Sequence, residues 1–324
     1  MDDIGRLIRS SIKGDKRATA RLISMVERGD KASADIMEAI APHTGKAFRI
    51  GVTGPPGAGK STIVNRLIAL FCQNRYSVGV IAVDPSSPIS GGALLGDRIR
   101  MTYDCTRDDV FFRSMGSGQL LGGLARTTGE TARILDASGR QIIIIETVGV
   151  GQSERNIAQM TDTVLVVLVP ESGDTIQVMK AGLMEIADIV AVNKADRSGA
   201  EQLSDAIRDM LRHPAQKHPW VPPVFRTSAS LNQGIEDLYQ GLWAHHRYLN
   251  EHSRLSLRRK KQLKDELRRC LKEAFPEVLW HVFAKENDLN LMVHDLLEKK
   301  SDIRSFAETA VKQWLKKEAT GDQD

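Results

Sequence analysis

Seven short apolar runs, separated by amphipathic helical stretches, constrain the fold of this chain more than any other feature. In chain order they are FRIGVTG, YSVGVIAVD, DVFFRSM, QIIIIETVG, DTVLVVLVP, DIVAVNKAD and PVFRTSA. Strands that are apolar along nearly their whole length are buried on both faces of a sheet. The alternation with helices therefore predicts an α/β fold, with a mostly parallel sheet flanked by helices.

The segments on either side of this region are predicted to be helical. Apolar residues recur at helical spacing before residue 48: Ile4, Leu7, Ile8 and Ile12, then Ala18, Leu22, Ile23 and Val26. A basic stretch, SRLSLRRKKQLKDELRRCLKEAF, opens the C-terminal part, and two shorter helical stretches follow it. We predict an N-terminal helical extension over 1–47, a central domain over 48–249 and a C-terminal helical arm over 250–324. The arginines and lysines of the basic stretch are interpreted as a solvated face around an apolar seam, which can pack within one subunit or across two.

Composition excludes several classes of function. A formal net charge of +4 spread over 324 residues gives no concentrated basic patch, so we expect no nucleic-acid partner. The three cysteines, Cys72, Cys105 and Cys270, lack CxxC or zinc spacing, which favours a reduced, cytoplasmic setting. The N-terminus has no apolar signal core, and the longest apolar runs are about half the length of a membrane span, so no membrane association is expected.

The stretch GVTGPPGAGKST, residues 51–62, predicts a phosphate-binding loop. It satisfies GxxxxGK[ST], directly after a predicted strand and directly before a predicted helix, which is the context that such a loop requires. Backbone N–H groups and the helix N-terminus would surround the phosphates, with Lys60 reaching the β and γ phosphates and Ser61 binding Mg²⁺. The predicted nucleotide-binding residues here are Gly54, Pro55, Pro56, Gly57, Ala58, Gly59, Lys60, Ser61 and Thr62.

The motif Asn193-Lys-Ala-Asp196 follows a later strand and predicts which base is bound. Guanine presents two donors on one edge, N1–H and the 2-amino group, and the carboxylate of Asp196 can accept both. Lys194 is expected to pack its stem over the base, while Asn193 braces the loop. Ser228 and Ala229 follow another strand, and a backbone N–H there can donate to guanine O6. The predicted ligands are therefore GTP and GDP rather than ATP.

Residues that sense the γ-phosphate are predicted at the end of the fourth apolar run. Glu146-Thr-Val-Gly149 places Glu146 near Mg²⁺ and its waters, and the Gly149 amide at the γ-phosphate. Position 150 is Val, where small Ras-like switches carry a glutamine that orients water. Either another group orients the water, or intrinsic hydrolysis is slow and depends on a partner.

Two further loops supply candidate metal and catalytic residues. Asp84 and Asp97 offer hard oxygen ligands to Mg²⁺, directly or through water. For Asp97, a helix N-cap is the alternative. Glu154 and Lys180 can pair in one nucleotide state and join Lys60 as candidate catalytic residues. A plain surface salt bridge between them is the alternative.

The paired histidines are interpreted as surface residues rather than metal ligands, because no Cys or Asp accompanies them at metal spacing. They are His213 with His218 and His245 with His246.

The segments AVDPSSP, GGALLGDRIRM, ETVGVGQSE, ESGDTIQVMKAGLMEIADI and NKAD follow GPPGAGKS in this order. Together they resemble the MeaB/ArgK family, G-protein chaperones of adenosylcobalamin-dependent methylmalonyl-CoA mutase. This family shares the broad SIMIBI class of P-loop GTPases with nickel insertases. The resemblance implies a GTP-hydrolysing switch that assists cofactor loading and protects the mutase. It also implies a homodimer made by the C-terminal arm.

The resemblance further implies a third switch in ESGDTIQVMK, which assigns switch roles to Asp174 and Lys180. Many members have GGGDDLQ where this chain has ESGDTIQ. A related mutase, for isobutyryl- or ethylmalonyl-CoA, is therefore an alternative client. Two other functions remain alternatives. A metal-insertion GTPase would need a Cys/His cluster near the nucleotide. A small-molecule or protein kinase is the other, and the HRD and DFG motifs of protein kinases are absent.

Overall fold

A computed structural model of the chain describes residues 2–84, 109–116, 121–147, 156–170, 182–212, 219–274, 280, 283 and 287–320. Three helices come first: α1 (Asp2–Ile12), α2 (Lys16–Glu27) and α3 (Ser33–Ile40). A short 3-10 helix, Ala41–His43, leads from α3 towards the sheet. Among the described helices, none is long and apolar enough to cross a membrane.

The central part of the chain alternates strands and helices. The strands are β1 (Phe48–Thr53), β2 (Val78–Asp84), β3 (Val110–Gly116), β4 (Ile142–Glu146), β5 (Thr163–Leu168), β6 (Ile189–Val192) and β7 (Val224–Arg226). The helices are α4 (Lys60–Gln73), α5 (Leu121–Ala137), α6 (Leu183–Ile186), α7 (Ala200–Leu211) and α8 (Ile235–Asn250). After the 3-10 helix Glu251–Ser253 come α9 (Arg254–Ala274), α10 (Leu289–Lys299) and α11 (Ile303–Thr320).

The seven strands described form one sheet in the order β3-β2-β4-β1-β5-β6-β7. All of its strand pairs are parallel. The prediction of a parallel sheet flanked by helices is therefore confirmed, and each apolar run corresponds to one strand. Because the strands are parallel, the loops that follow them meet at one edge of the sheet, where ligands bind in open α/β folds.

Both faces of the sheet are buried, as the continuous apolar runs predict. Along β4, Ile142 and Ile144 pack into a cluster with α4 and α8, whereas Ile143 and Ile145 pack into a cluster on the other face. The second cluster includes Leu22 and Ile36 from the N-terminal helices, together with residues of α5 and α7. The N-terminal helices therefore complete the layer that covers one face of the sheet.

The C-terminal helices have a core of their own. Leu267 and Leu271 of α9 pack against Val293 and Leu296 of α10 and against residues of α11. This confirms the apolar seam predicted for the basic stretch.

Two arginines of α9 attach the helix to the sheet, so the interpretation of a wholly solvated basic face is wrong. Arg258 pairs with Asp188 at 2.8 Å, and Arg259 pairs with Asp162 at 2.7 Å. Both arginine side chains are only 23% exposed. Asp162 and Asp188 directly precede β5 and β6, so α9 is held at the amino edge of the sheet, opposite the loops that follow the strands.

The surface interpretation is also wrong for His245, which is 1% exposed. Its Nδ1 lies 2.7 Å from the hydroxyl of Thr163, and its Nε2 lies 3.5 Å from Asp188. Burial lowers the pKa of His245 to about 4, and the nearby Asp188 carboxylate offsets this only in part. The ring therefore remains neutral at physiological pH and forms part of the contact between α8 and the sheet.

Candidate nucleotide-binding site

The predicted phosphate loop lies between β1 and α4, at the edge of the sheet where the strands end. Gly54, the first residue after β1, has φ +142°, and a Cβ atom there would lie 2.0 Å from the carbonyl oxygen of Val167. Only glycine therefore lets the loop turn this close to β5. The loop then leads to the N-terminus of α4, and the free backbone N–H groups of a helix N-terminus favour bound anions.

Gly59 is the second position where a side chain is excluded. It has φ +86°, and a Cβ atom there would lie 2.4 Å from the side-chain nitrogen of Asn193. The absence of this Cβ lets the Asn193 amide donate to the carbonyl oxygen of Ala58 at 2.8 Å. The glycine before the lysine thus brings the end of β6 into contact with the phosphate loop.

Lys60 begins α4, and its side chain folds back over the loop. It is 6% exposed, and its Nζ donates to the carbonyl oxygens of Gly54 and Pro55 at 2.8 and 2.9 Å. A buried ammonium group held over a loop of backbone N–H groups can exchange carbonyl oxygens for the oxygens of a phosphate, which are stronger acceptors because they carry charge.

Ser61 and Glu146 meet at the same edge. The Ser61 hydroxyl donates to Glu146 Oε1 at 2.6 Å. In the parallel pairing of β2 with β4, Ala82 is opposite Glu146, so Asp84 lies two residues further along β2 at this edge. Hydroxyl and carboxylate oxygens are the ligands that Mg²⁺ prefers, and Mg²⁺ usually takes one or two of them together with phosphates and water. These residues therefore fit a Mg²⁺–nucleotide complex.

Asn193 connects three loops through both ends of its side-chain amide. Besides the bond to Ala58, its Oδ1 accepts from the Thr227 hydroxyl at 3.2 Å and from the Ala229 N–H at 3.1 Å. The expected bracing by Asn193 is thus matched by its contacts. The contribution of Thr227 has no signal in the sequence, because a threonine before Ser-Ala is ordinary loop composition.

The Ala229 N–H is one of the backbone groups predicted to donate to guanine O6. In this structure it already donates to Asn193 Oδ1. A base carbonyl would have to share this N–H with Asn193 Oδ1 or use the neighbouring amide.

Asp196 is exposed, and its carboxylate is partly satisfied by the loop after β7. The Ser228 hydroxyl donates to Asp196 Oδ1 at 2.5 Å. This hydrogen bond is the main cause that lowers the pKa of Asp196, and the charges of Arg197 and Lys194 add to it. The group is therefore a carboxylate at neutral pH, with lone pairs left to accept N–H donors from a ligand. The adjacent Lys194 has a left-handed backbone, with φ +55°.

Several predicted residues lie outside the described part of the chain. They are Asp97, Gly149, Glu154 and Lys180, together with Asp174, Cys105, His213 and His218. Within the described ranges, no group of three or more His, Cys, Asp or Glu side chains is arranged to hold a metal ion.

The parallel sheet and the glycine-rich loop between β1 and α4 define a P-loop nucleotide-binding protein. Residues 19–287 match the family described as Methylmalonyl Co-A mutase-associated GTPase MeaB, and the chain belongs to this family of GTPases.

Individual relatives agree with this assignment. A relative from Pyrococcus abyssi is 46% identical over 269 residues, 82% of this chain and 83% of that protein. GTPase ArgK of Escherichia coli is 35% identical over 290 residues, 86% of each chain. Among solved structures, one described as LAO/AO transport system kinase superposes with a TM-score of 0.70 and is 27% identical. That match covers 96% of this chain and 97% of the other.

Proposed function

We propose that this chain hydrolyses GTP as a conformational switch for an adenosylcobalamin-dependent acyl-CoA mutase, with methylmalonyl-CoA mutase as the first candidate. The observation that carries the proposal is the pair of contacts made by Asn193. Its side chain joins Ala58 in the phosphate loop to Ala229 in the loop after β7. One side chain therefore joins the loop proposed to hold the phosphates to the loop proposed to face the purine.

In this proposal, Asp196 selects guanine. Its carboxylate accepts N1–H and the 2-amino group, while Ser228 holds one carboxylate oxygen in place. Adenine does not present two adjacent donors on that edge, so it cannot make both hydrogen bonds. Hydrogen bonds to a charged acceptor are the stronger kind, which makes this contact a good source of selectivity between purines.

The phosphates occupy the loop from Gly54 to Thr62 and contact the ammonium group of Lys60. Ser61 and Glu146 would hold Mg²⁺, with Asp84 and Asp97 as further candidate oxygen ligands. When bound, Mg²⁺ would neutralise negative charge on the phosphates. The residues of this chain orient the phosphates for in-line attack by water, and Lys60 stabilises the negative charge that develops on the leaving oxygens.

The switch function rests on residues outside the described ranges. The Gly149 amide contacts the γ-phosphate, and Glu154 and Lys180 change partners when the phosphate is lost. Because Val150 cannot orient water, hydrolysis is slow until a bound partner completes the site.

The mutase as partner is supported by the family name, which associates MeaB with methylmalonyl-CoA mutase. In this role the chain assists the loading of adenosylcobalamin and protects the loaded mutase. The segment ESGDTIQ leaves isobutyryl- and ethylmalonyl-CoA mutases as alternative clients. We further propose a cytoplasmic homodimer, with 1–47 as extension, 48–249 as GTPase domain and 250–324 as the dimerisation arm.

The test is GTP turnover by the purified chain, alone and with purified methylmalonyl-CoA mutase. We expect slow turnover alone and a rise of about tenfold or more with the mutase. Lys180→Ala should abolish the rise, whereas Lys31→Ala, at an exposed lysine before α3, should retain it. Rapid turnover that the mutase leaves unchanged would disprove the switch. If GTP turnover rises only with isobutyryl- or ethylmalonyl-CoA mutase, that mutase is the client and the proposed mechanism still holds.

A further inference from the structure

Arg66 is a residue of α4 that reaches across to the loop after β7. Its Nε donates to the carbonyl oxygen of Ala229 at 3.0 Å, and its Nη2 donates to the carbonyl oxygen of Ser230 at 3.3 Å. The side chain is partly buried, and it lies on the helix that begins with Lys60. One guanidinium group therefore connects the helix of the phosphate loop to the loop proposed to face the base.

The loop that Arg66 contacts is closed on itself. Ser228 and Gln233 form an antiparallel bridge with two hydrogen bonds of 3.0 Å each, Ser228 N–H to Gln233 O and Gln233 N–H to Ser228 O. Gly234 follows with φ +68°, and a Cβ atom there would lie 2.1 Å from the carbonyl oxygen of Arg226. Because the two ends of this loop are tied together, the contact with Arg66 constrains the few residues between them.

The direction of these contacts determines where the loop amides point. The carbonyl of Ala229 and the N–H of Ser230 belong to one trans peptide unit, so they point in opposite directions. Because Arg66 holds that carbonyl towards α4, it directs the Ser230 N–H away from α4. A positive charge on the carbonyl side also polarises the peptide and makes this N–H a stronger donor. The Ala229 N–H already donates to Asn193, so the Ser230 N–H is the amide suited to guanine O6.

We infer that Arg66 is a positioning residue for purine selectivity, which sets the Ser230 amide where the O6 atom of guanine would accept from it. This inference rests on the guanine pocket proposed above and adds to it a residue that does not touch the nucleotide. Arginine suits the task because its planar fork serves two successive carbonyls at once, which a lysine ammonium cannot do with the same rigidity.

The test compares three nucleoside diphosphates whose bases differ in these groups. GDP has O6, N1–H and the 2-amino group. 2-Aminopurine riboside diphosphate lacks O6 and the N1 proton, and IDP lacks only the 2-amino group. For Arg66→Met we expect the affinities for GDP and IDP to fall about tenfold, with the 2-aminopurine compound within about twofold of the wild type. Arg66→Lys is a milder change, and its affinities for GDP and IDP should lie between those of the wild type and Arg66→Met. It also controls for misfolding of the methionine variant.

Arg208→Met is the matched control, because Arg208 also donates to a backbone carbonyl, that of Val224 at 3.1 Å, but does so from α7. It should leave all three affinities unchanged. An equal loss of affinity for all three ligands in the Arg66 variants would show a merely structural role, and no loss of affinity would show that Arg66 has no role. Either result overturns this inference but leaves the proposed guanine pocket in place. If the wild type itself fails to prefer GDP over the 2-aminopurine compound, the guanine pocket falls as well.

Discussion

The hydroxyl of Ser61 and the carboxylate of Glu146 form a hydrogen bond of 2.6 Å that joins the start of α4 to the end of β4. Because the Ser61 hydroxyl donates this hydrogen bond, the lone pairs of its oxygen are available to a cation. The Glu146 side chain thus reaches the serine directly and remains partly exposed to water. The pair is prepared for a hard cation, which leads to the first prediction.

Replacing Glu146 by Gln should weaken the binding of the Mg²⁺ that supports GTP hydrolysis. The substitution keeps the size of the side chain but removes the charge that attracts the cation and its waters. We expect the Mg²⁺ concentration for half-maximal turnover to rise about tenfold at saturating GTP. Magnesium titration of steady-state turnover measures this, with Glu236→Gln, on the first turn of α8, as the control. Identical titration curves for the two variants would remove Glu146 from the metal site.

Replacing Asp196 by Asn should change the preferred base from guanine to xanthine. The asparagine amide donates where the carboxylate accepts, and xanthine carries a carbonyl oxygen in place of the 2-amino group. Loss of two hydrogen bonds to a charged acceptor is expected to weaken GDP binding by about a hundredfold or more. Calorimetric titration of the wild type and the variant with GDP, XDP and ADP measures this change in base preference. Unchanged GDP affinity in the variant would show that this carboxylate does not read the base.

The features that can be predicted from the sequence are those that depend on short contiguous segments. The strands can be predicted from apolar runs such as IIIIE in β4, because a strand that is buried on both faces is apolar along its length. It can be recognised without knowing which strands lie beside it. The phosphate loop and NKAD follow because each function depends on a few adjacent residues and on the strand before them. The positions of Gly54 and Gly59 against β5 and Asn193 agree with that logic.

The contacts missed by the sequence analysis join residues that are distant in the chain. Arg259 and Asp162 are 97 positions apart, and Thr163 and His245 are 82 apart. Nothing in the local pattern of a basic helix tells which of its arginines turns inward, because the pairing depends on where the helix packs. For the same reason, a histidine in an amphipathic helix cannot be recognised as buried until its neighbours on the sheet are known.

Replacing Asp162 by Asn should destabilise the fold and remove a source of acid sensitivity. The side chain of Asp162 is fully buried and pairs with Arg49 and Arg259. Burial alone would raise the pKa of Asp162, but the charges and hydrogen bonds of the two arginines outweigh it and lower the pKa well below its usual value. Removing one partner of a buried pair costs about 3 kcal/mol of the free energy of unfolding.

The pH dependence follows from the sign of this shift. The unfolded chain binds a proton at Asp162 near pH 4, whereas the folded chain does not until much lower pH. The stabilisation is therefore complete above about pH 4 and is lost as the pH falls below it. Urea unfolding at pH 7 and at a series of values down to pH 3 should show a steeper acid loss in the wild type than in Asp162→Asn. Parallel profiles would mean that α9 does not depend on this pair.

Replacing His245 by Gln should flatten the loss of stability between pH 6.5 and pH 4. Burial lowers the pKa of His245 to about 4, from 6.5 for the free group, so the unfolded chain takes up a proton in this range before the folded chain does. The stability of the wild type is thus highest above pH 6.5 and falls as the pH approaches 4, by up to about 3 kcal/mol. Glutamine does not titrate and can still hydrogen-bond to the Thr163 hydroxyl.

Urea unfolding between pH 7.5 and pH 4 measures this effect, with His294→Gln as control, because the His294 side chain is 61% exposed. The adjacent His246 also has a pKa lowered by burial, so a shallower slope should remain in His245→Gln. The control should follow the wild type. If His245→Gln retains the full wild-type slope, the histidine must already exchange protons with solvent in the folded chain, and the contact between α8 and the start of β5 must open more easily than its burial implies.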